Sequence, residues 1–274
     1  MSAKYPAIKM KDGERYFYRF NLDERIQHII FAASVVLLVL TGMPLKFSSA
    51  GWAQYIYPFF GGTKGAPIVH KVCGTIMLLV LAYHVYRITV NIYKNHILPA
   101  KKAGNYSLVK ILLGQKMVPN LKDAFDIRDL MKYLLFFTNE RPRGDNFTWK
   151  EKFDYWAPFW GCIVIGGTGI IMWNKEIASH LIPGMVINFC LIAHSDEALL
   201  ASLFLFIWHW YNVHYSASVF PMGTVFLTGY LSEELMVEEH YDYYVKVMKE
   251  NGLEHEIKPP HGGGGHMETE GGLS

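Results

Sequence analysis

Four apolar stretches, each long enough to cross a bilayer as a helix, decide what this chain can fold into. A span needs about 20 residues at 1.5 Å rise each. The stretches run over about 26–45 (IQHIIFAASVVLLVLTGMPL), 67–90, 155–173 and 187–215. A short apolar entry segment beginning near Leu181 and broken by Pro183 precedes the last. Backbone polar groups in hydrocarbon must be satisfied within their own segment. The expected fold class is therefore all-α, an integral membrane four-helix bundle. In the connection 91–153, SLVKILLGQKMV and IRDLMKYLLFF read as short amphipathic helices at the interface. Charged residues make up 18% of the chain, below the roughly 25% of a soluble domain.

Positive charge sets the orientation. Residues 1–25 carry six Lys/Arg (Lys4, Lys9, Lys11, Arg15, Arg19, Arg25) and the 91–153 connection carries twelve. The other two connections carry two (Lys46, Lys64) and one (Lys175). The positive-inside rule places both termini and the long connection in the cytoplasm of a multi-pass inner-membrane protein. The flank KDGERYFYRFNLDER is too polar for a signal peptide, so none is expected ahead of the first span. Residues 1–25 are expected as a cytoplasmic segment, 26–220 as the transmembrane domain and 221–274 as an acidic tail, helical in pattern from about Leu231 (SEELMVEEHYDYYVKVMKENG) and disordered over HGGGGHMETEGGLS. A net charge of +2 gives no pull toward nucleic acid.

Histidine carries the chemistry. The three cysteines form no CxxC, which excludes a disulfide scaffold, a thiolate iron–sulfur site and a CxxCH haem attachment. Cys73, Cys162 and Cys190 read as small buried hydrophobes. Six of twelve histidines lie in or beside the spans: His28, His70, His84, His194, His209 and His214. Ionisable groups are expensive there and so mark function. His70 and His84 are 14 residues apart and His194 and His209 are 15 apart. Those spacings are about four helical turns, so each pair shares a face with one histidine toward each side of the membrane. Two such helices side by side offer stacked imidazole pairs, which suits bis-histidine ligation of two haem irons.

Depth selects partners. The outer pair is His70 with His194; the inner pair is His209 with either His28 or His84. His214 is rotated about 140° from His209 and reads as structural. His240, His255, His261 and His266 fall in the polar tail and read as solvated, and His96 and His180 receive no role. Gly74, Gly166, Gly167 and Gly169 would admit close helix packing or a flat macrocycle. The only internal repeat is a Thr-Gly near the outer ends of the first and third spans, Thr41-Gly42 and Thr168-Gly169.

These residues resemble a known family, the cytochrome b (gamma) subunit of membrane-bound formate dehydrogenase and its relatives. The carriers are Arg25/His28 with Leu40-Thr41-Gly42, His70-x3-Gly74 with Arg87, Lys152-x3-Trp156 with Thr168-Gly169-Ile170-Ile171-Met172-Trp173, and Ala193-His194 through His209-Trp210-Tyr211. The resemblance implies two haem b groups, the inner one on His28 and His209 and the outer one on His70 and His194, with His84 the rival to His28. It implies a menaquinone or ubiquinone site beside the inner haem, near Thr148-Trp149-Lys150-Glu151-Lys152, where Thr148, Lys152, Asp154 and His84 are the candidate contacts. It also implies a periplasmic iron–sulfur subunit and a catalytic subunit of molybdenum, tungsten or nickel–iron type. Function would then be electron transfer between that partner and the quinone pool. The cytochrome b of a nickel–iron hydrogenase or of a thiosulfate or polysulfide reductase shares the plan. A histidine-relay metal or proton transporter and a haemless anchor are the readings from other classes.

Overall fold

The computed structural model describes residues 7–139 and 142–260. The Gly-rich end, 261–274, lies outside them, with the two histidines and the disorder expected there. Among the described residues four helices are long and apolar enough to cross a membrane: Leu22–Lys46, Gly62–Lys102, Trp149–Trp173 and Gly184–Tyr215. Each contains the predicted span and runs past it, because hydropathy marks where the apolar surface stops while caps mark where the helix stops. The first begins at a capping box: Asn21 Oδ1 accepts from the Glu24 amide at 3.0 Å, and Glu24 accepts from the Asn21 amide at 2.9 Å. The third begins at Thr148, whose amide and hydroxyl both donate to Glu151 Oε2, at 2.7 and 3.1 Å. The entry segment expected from Leu181 does not stand apart: Leu181 closes the short helix Lys175–Leu181, and the fourth long helix starts at Gly184, directly after Pro183. The expected amphipathic helices are present at Leu108–Leu113 and Leu121–Leu134.

The chain divides into two units. One comprises 19–112 and 153–229 and contains the membrane-type helices. Its inside is small and polar and its outside apolar. Gln27, Ser34 and Thr41, seven residues apart in the first helix, are buried. Leu79, Ile163, Phe189 and Ile207 are exposed. That inversion is how helices pack when lipid is as apolar as leucine. The buried hydroxyls are satisfied by their own helix, Ser34 donating to Ile30 O at 2.8 Å and Thr41 to Leu37 O at 2.7 Å. Gly166 brings the third helix close to the second, since a Cβ there would lie 2.7 Å from Leu78 Cδ2.

Among the described residues the other unit joins 7–18, 113–152 and 230–260. It contains a sheet that the sequence reading did not foresee. β1 (Ile8–Lys11) and β2 (Glu14–Tyr18) form a hairpin, and β3 (Tyr230–Ser232) pairs antiparallel with β2. The two-residue turn is Asp12-Gly13, both at positive φ (53° and 83°). Asp-Gly in that position is a hairpin signal. Behind the sheet, Phe17, Met236, Val237, Tyr244, Val247 and Met248 make an apolar core. The acidic segment expected to be helical from about Leu231 forms the helices Glu233–Glu239 and Tyr241–Glu250, but it packs on this core instead of standing in solvent, and His240, expected in solvent, is buried with Nδ1 donating to Asp145 O at 2.9 Å. The acidic residues conceal the pattern: the helix Tyr241–Glu250 buries only Tyr244, Val247 and Met248.

Two buried charge clusters lock this unit. Lys152 Nζ donates to both Asp123 oxygens at 2.8 Å, with both side chains nearly inaccessible. Lys152→Ala is expected to destabilise the unit by about 3–5 kcal/mol, because it strands a buried carboxylate; a denaturant titration against the double variant Lys152→Met/Asp123→Leu, expected to recover most of that loss, checks it. Glu233 accepts from Tyr244 and Arg15 at 3.0 and 3.1 Å and pairs with Lys258 at 2.6 Å. Burial pushes its carboxyl upward, but the bonds from Lys258, Arg15 and Tyr244 outweigh burial and hold it below its ordinary value. Its stabilising contribution is complete above an unfolded value of about 4.3 and disappears as pH falls through the lowered folded value. Hydrogen exchange of the Tyr241–Glu250 amides, corrected for intrinsic rates, is expected to accelerate in that acid range, and Glu233→Gln to flatten the dependence.

Candidate functional site

The helices bring two pairs of imidazoles face to face. His70 and His194 have ring centres 6.2 Å apart, and His28 and His209 have theirs 6.4 Å apart. Two imidazoles on opposite sides of one metal ion, each with a bond of about 2.0 Å and about 1.1 Å from nitrogen to ring centre, stand about 6 Å apart. Both pairs meet that spacing.

The ring nitrogens are assigned by their neighbours. His70 Nδ1 lies 2.9 Å from Thr41 Oγ1, whose own proton goes to Leu37 O, so the imidazole donates and Thr41 accepts. His194 Nδ1 donates to Ile165 O at 2.9 Å, with Thr168 Oγ1 at 3.3 Å. His209 Nδ1 donates to Asp154 Oδ2 at 3.1 Å, and the other Asp154 oxygen accepts from Trp208 Nε1 at 2.9 Å. With the proton held on Nδ1, the Nε2 lone pair is the one free to bind metal. Among the described residues none of these three Nε2 atoms has a hydrogen-bond partner. His28 lies against Phe226 as well as His209.

His84 is placed differently. Its Nδ1 is 2.8 Å from Gln27 Oε1 and its Nε2 is 3.1 Å from Tyr155 OH. Both nitrogens are engaged, and the ring packs on Tyr155 and Phe159.

The Thr-Gly repeat gains a meaning that spacing alone did not supply. A Cβ on Gly42 would lie 3.0 Å from His70 Cε1, and one on Gly169 would lie 3.1 Å from His194 Cε1. Each of these two imidazoles therefore sits edge-on in a notch formed by a glycine, with the preceding threonine at its Nδ1. The first and second helices repeat in the third and fourth.

The donor set fits an iron already held by a macrocycle. Among the described residues no group of three or more His, Cys, Asp or Glu is placed to hold an ion. Two imidazoles are too few for a bare ion, which takes four or more ligands, but they complete the axial positions of haem. Among the described residues two buried side-chain nitrogens lack hydrogen-bond partners, Arg25 Nε and His214 Nδ1. They belong to residues three before His28 and five after His209. Unmatched donors at that end suit an anionic group such as a haem propionate carboxylate.

Of the polar residues expected near a quinone, Thr148 caps its helix on Glu151, Lys152 is bound by Asp123 and Asp154 holds His209. Sequence reading missed Gln27 and Tyr155, because neither residue type signals chemistry until His84 is seen between them.

A family model described as prokaryotic cytochrome b561 matches residues 19–227. The formate dehydrogenase cytochrome b556(fdo) subunits of Escherichia coli K12 and of E. coli O157:H7 are each 24% identical to this chain over 236 residues, covering 84% of it and 93% of the relative. The matched region contains the four long helices and both histidine pairs, and the chain belongs to the prokaryotic cytochrome b561 family of haem b membrane proteins.

Proposed function

We propose that this multi-pass membrane cytochrome holds two haem b groups and passes electrons between an external iron–sulfur partner and the quinone pool. His70 and His194 would hold the outer haem and His28 and His209 the inner one. Haem would supply a one-electron couple at each pair, and with two imidazoles holding it the chemistry would be electron transfer. The carrying observation is the pair of facing imidazoles at the spacing of axial ligands, three of the four with Nδ1 already committed.

Each residue's part follows from its contacts. Thr41 and the Ile165 carbonyl keep the proton on Nδ1 of the outer imidazoles. Asp154 does so for His209 and adds negative charge behind it. His194 and His209, fifteen residues apart, put the two centres about 20 Å apart across the bilayer by helical rise. The Lys/Arg distribution supports an inner-membrane protein with both termini cytoplasmic. The relatives' name supports a formate dehydrogenase type of assembly, and the partners we propose are an external iron–sulfur subunit and a catalytic subunit of molybdenum, tungsten or nickel–iron type. Menaquinone or ubiquinone is the membrane-side partner, and His84 is the residue we keep beside it.

A dithionite-reduced minus oxidised spectrum with a pyridine haemochrome count on the purified chain is expected to give two non-covalent b haems. A folded, haem-supplied preparation with none would sink the reading in favour of a transporter. Gly42→Val and Gly169→Val each crowd one outer imidazole. Each is expected to weaken the outer haem by about 10–100-fold, the range for disturbing a ligand's supporting shell, while the inner haem stays. Loss of both haems together would argue against separate sites.

A further inference from the structure

We infer that the stretch leaving the second span, 93–112, is a docking surface for anionic phospholipid headgroups. Its charge is one-sided. No aspartate or glutamate occurs between Glu24 and Asp123. Arg87, near the end of the second span, is matched by Asp23 at 3.1 Å. Beyond it come Lys94, Lys101, Lys102 and Lys110, all exposed. Among the described residues none of these four has a carboxylate partner; Lys101 lies over the Tyr106 ring at 5.1 Å instead. The chain that follows is an internal control. Over 121–139 every Lys or Arg is already matched: Lys122 by Asp126 at 3.0 Å, Arg128 by Asp129 at 2.8 Å and Lys132 by Asp129 at 3.6 Å. Those cations have little charge left to offer a third party, whereas the four earlier ones keep theirs.

The apolar side chains of the same stretch select the kind of anion. Leu108, Val109 and Leu112, on the short helix Leu108–Leu113, are 44%, 65% and 44% exposed, and Lys110 lies among them. Tyr93 and Tyr106 are also exposed. Amphipathic rings and lysines with long apolar stems are at home where hydrocarbon gives way to headgroups. A nucleic acid or an acidic protein would take the lysines and leave the leucines in water. A second copy of the chain would set like charges against like. An anionic lipid takes both parts, its phosphate on the lysines and its acyl chain beside Leu108 and Val109. The surface is also continuous with the membrane. Lys101 and Lys102 close the helix Gly62–Lys102 that contains the second span, and 93–112 belongs to the same unit as the long helices.

The test uses the purified, haem-loaded full chain in neutral detergent, titrated with phosphatidylglycerol that carries a dansyl group on its acyl chain. Dansyl-labelled phosphatidylcholine is the neutral arm, and energy transfer from the chain's tryptophans reports binding. The unmodified protein is expected to bind the anionic lipid at least about tenfold more tightly than the neutral one at about 0.1 M salt. Most of that preference is expected to vanish at about 1 M salt, where the Debye length has fallen from about 10 Å to about 3 Å. One cation near an anionic lipid surface is worth about fivefold in affinity. The variant Lys101→Gln/Lys102→Gln/Lys110→Gln is accordingly expected to weaken phosphatidylglycerol at least about tenfold and to leave phosphatidylcholine unchanged. Arg128→Gln/Lys132→Gln is expected to leave both as they were. All five side chains are exposed, so the haem difference spectrum stays that of the unmodified protein. Equal binding of the two lipids by the unmodified protein, or a preference that survives the triple substitution, overturns the inference. So does a triple variant whose sedimentation mass changes while its lipid binding does not, since the surface would then join copies of the chain.

Discussion

His28→Ala is expected to leave the purified protein with one b haem instead of two, whereas His84→Ala keeps both. The two histidines lie on neighbouring helices at similar depth, and their sequence contexts alone do not separate them. Their surroundings do. His28 stands 6.4 Å from His209, and among the described residues neither of its nitrogens is hydrogen-bonded. His84 has both nitrogens occupied, by Gln27 and Tyr155. An imidazole whose lone pair accepts from a phenol has no free donor for iron. Removing it leaves Gln27 and Tyr155 without a partner, a cost of about 1–3 kcal/mol in stability that leaves iron ligation intact. Haemochrome counts on the two variants check this. The reverse result, two haems without His28 and one without His84, would transfer the inner ligand to the second span.

The second large effect is on potential. Asp154→Asn is expected to retain both haems and to move one of the two steps in a potentiometric titration upward. The carboxylate accepts from His209 Nδ1 at 3.1 Å and so makes that imidazole a stronger donor. A stronger donor favours the ferric over the ferrous ion, and neutralising it removes that bias. Each tenfold change in the ratio of ferric to ferrous affinity corresponds to about 59 mV for one electron. The amide can still accept from His209 and from Trp208 Nε1, so geometry is preserved and the readout isolates charge. An unmoved pair of potentials would mean that Asp154 only positions the ring. A shift in the step removed by His70→Ala would mean that Asp154 acts on the other centre.

Much of this site was legible because membrane helices write depth into the chain. Apolar length gives the spans, and 14- and 15-residue spacings place histidines at two levels. Thr41-Gly42 and Thr168-Gly169 were visible as a repeat, but not as notches for His70 and His194. The contact depends on how each helix is rotated toward its neighbour, which local periodicity does not report. The β1–β2 hairpin had a readable Asp-Gly turn. Its pairing with Tyr230–Ser232, more than 200 residues away, had no local signal at all. Acidic residues on the exposed faces of Glu233–Glu239 and Tyr241–Glu250 concealed the apolar stripe that packs on Phe17.

Hydrocarbon thickness and helical rise make four helices of membrane-crossing length, and histidines in two layers, readable from the order of residues alone. Only the tertiary structure decided which rings meet: His28 with His209, and His84 with Gln27 and Tyr155. The physical reason is that a hydrogen bond between helices depends on rotation and lateral approach, quantities set by packing small residues such as Gly42, Gly166 and Gly169 against their neighbours.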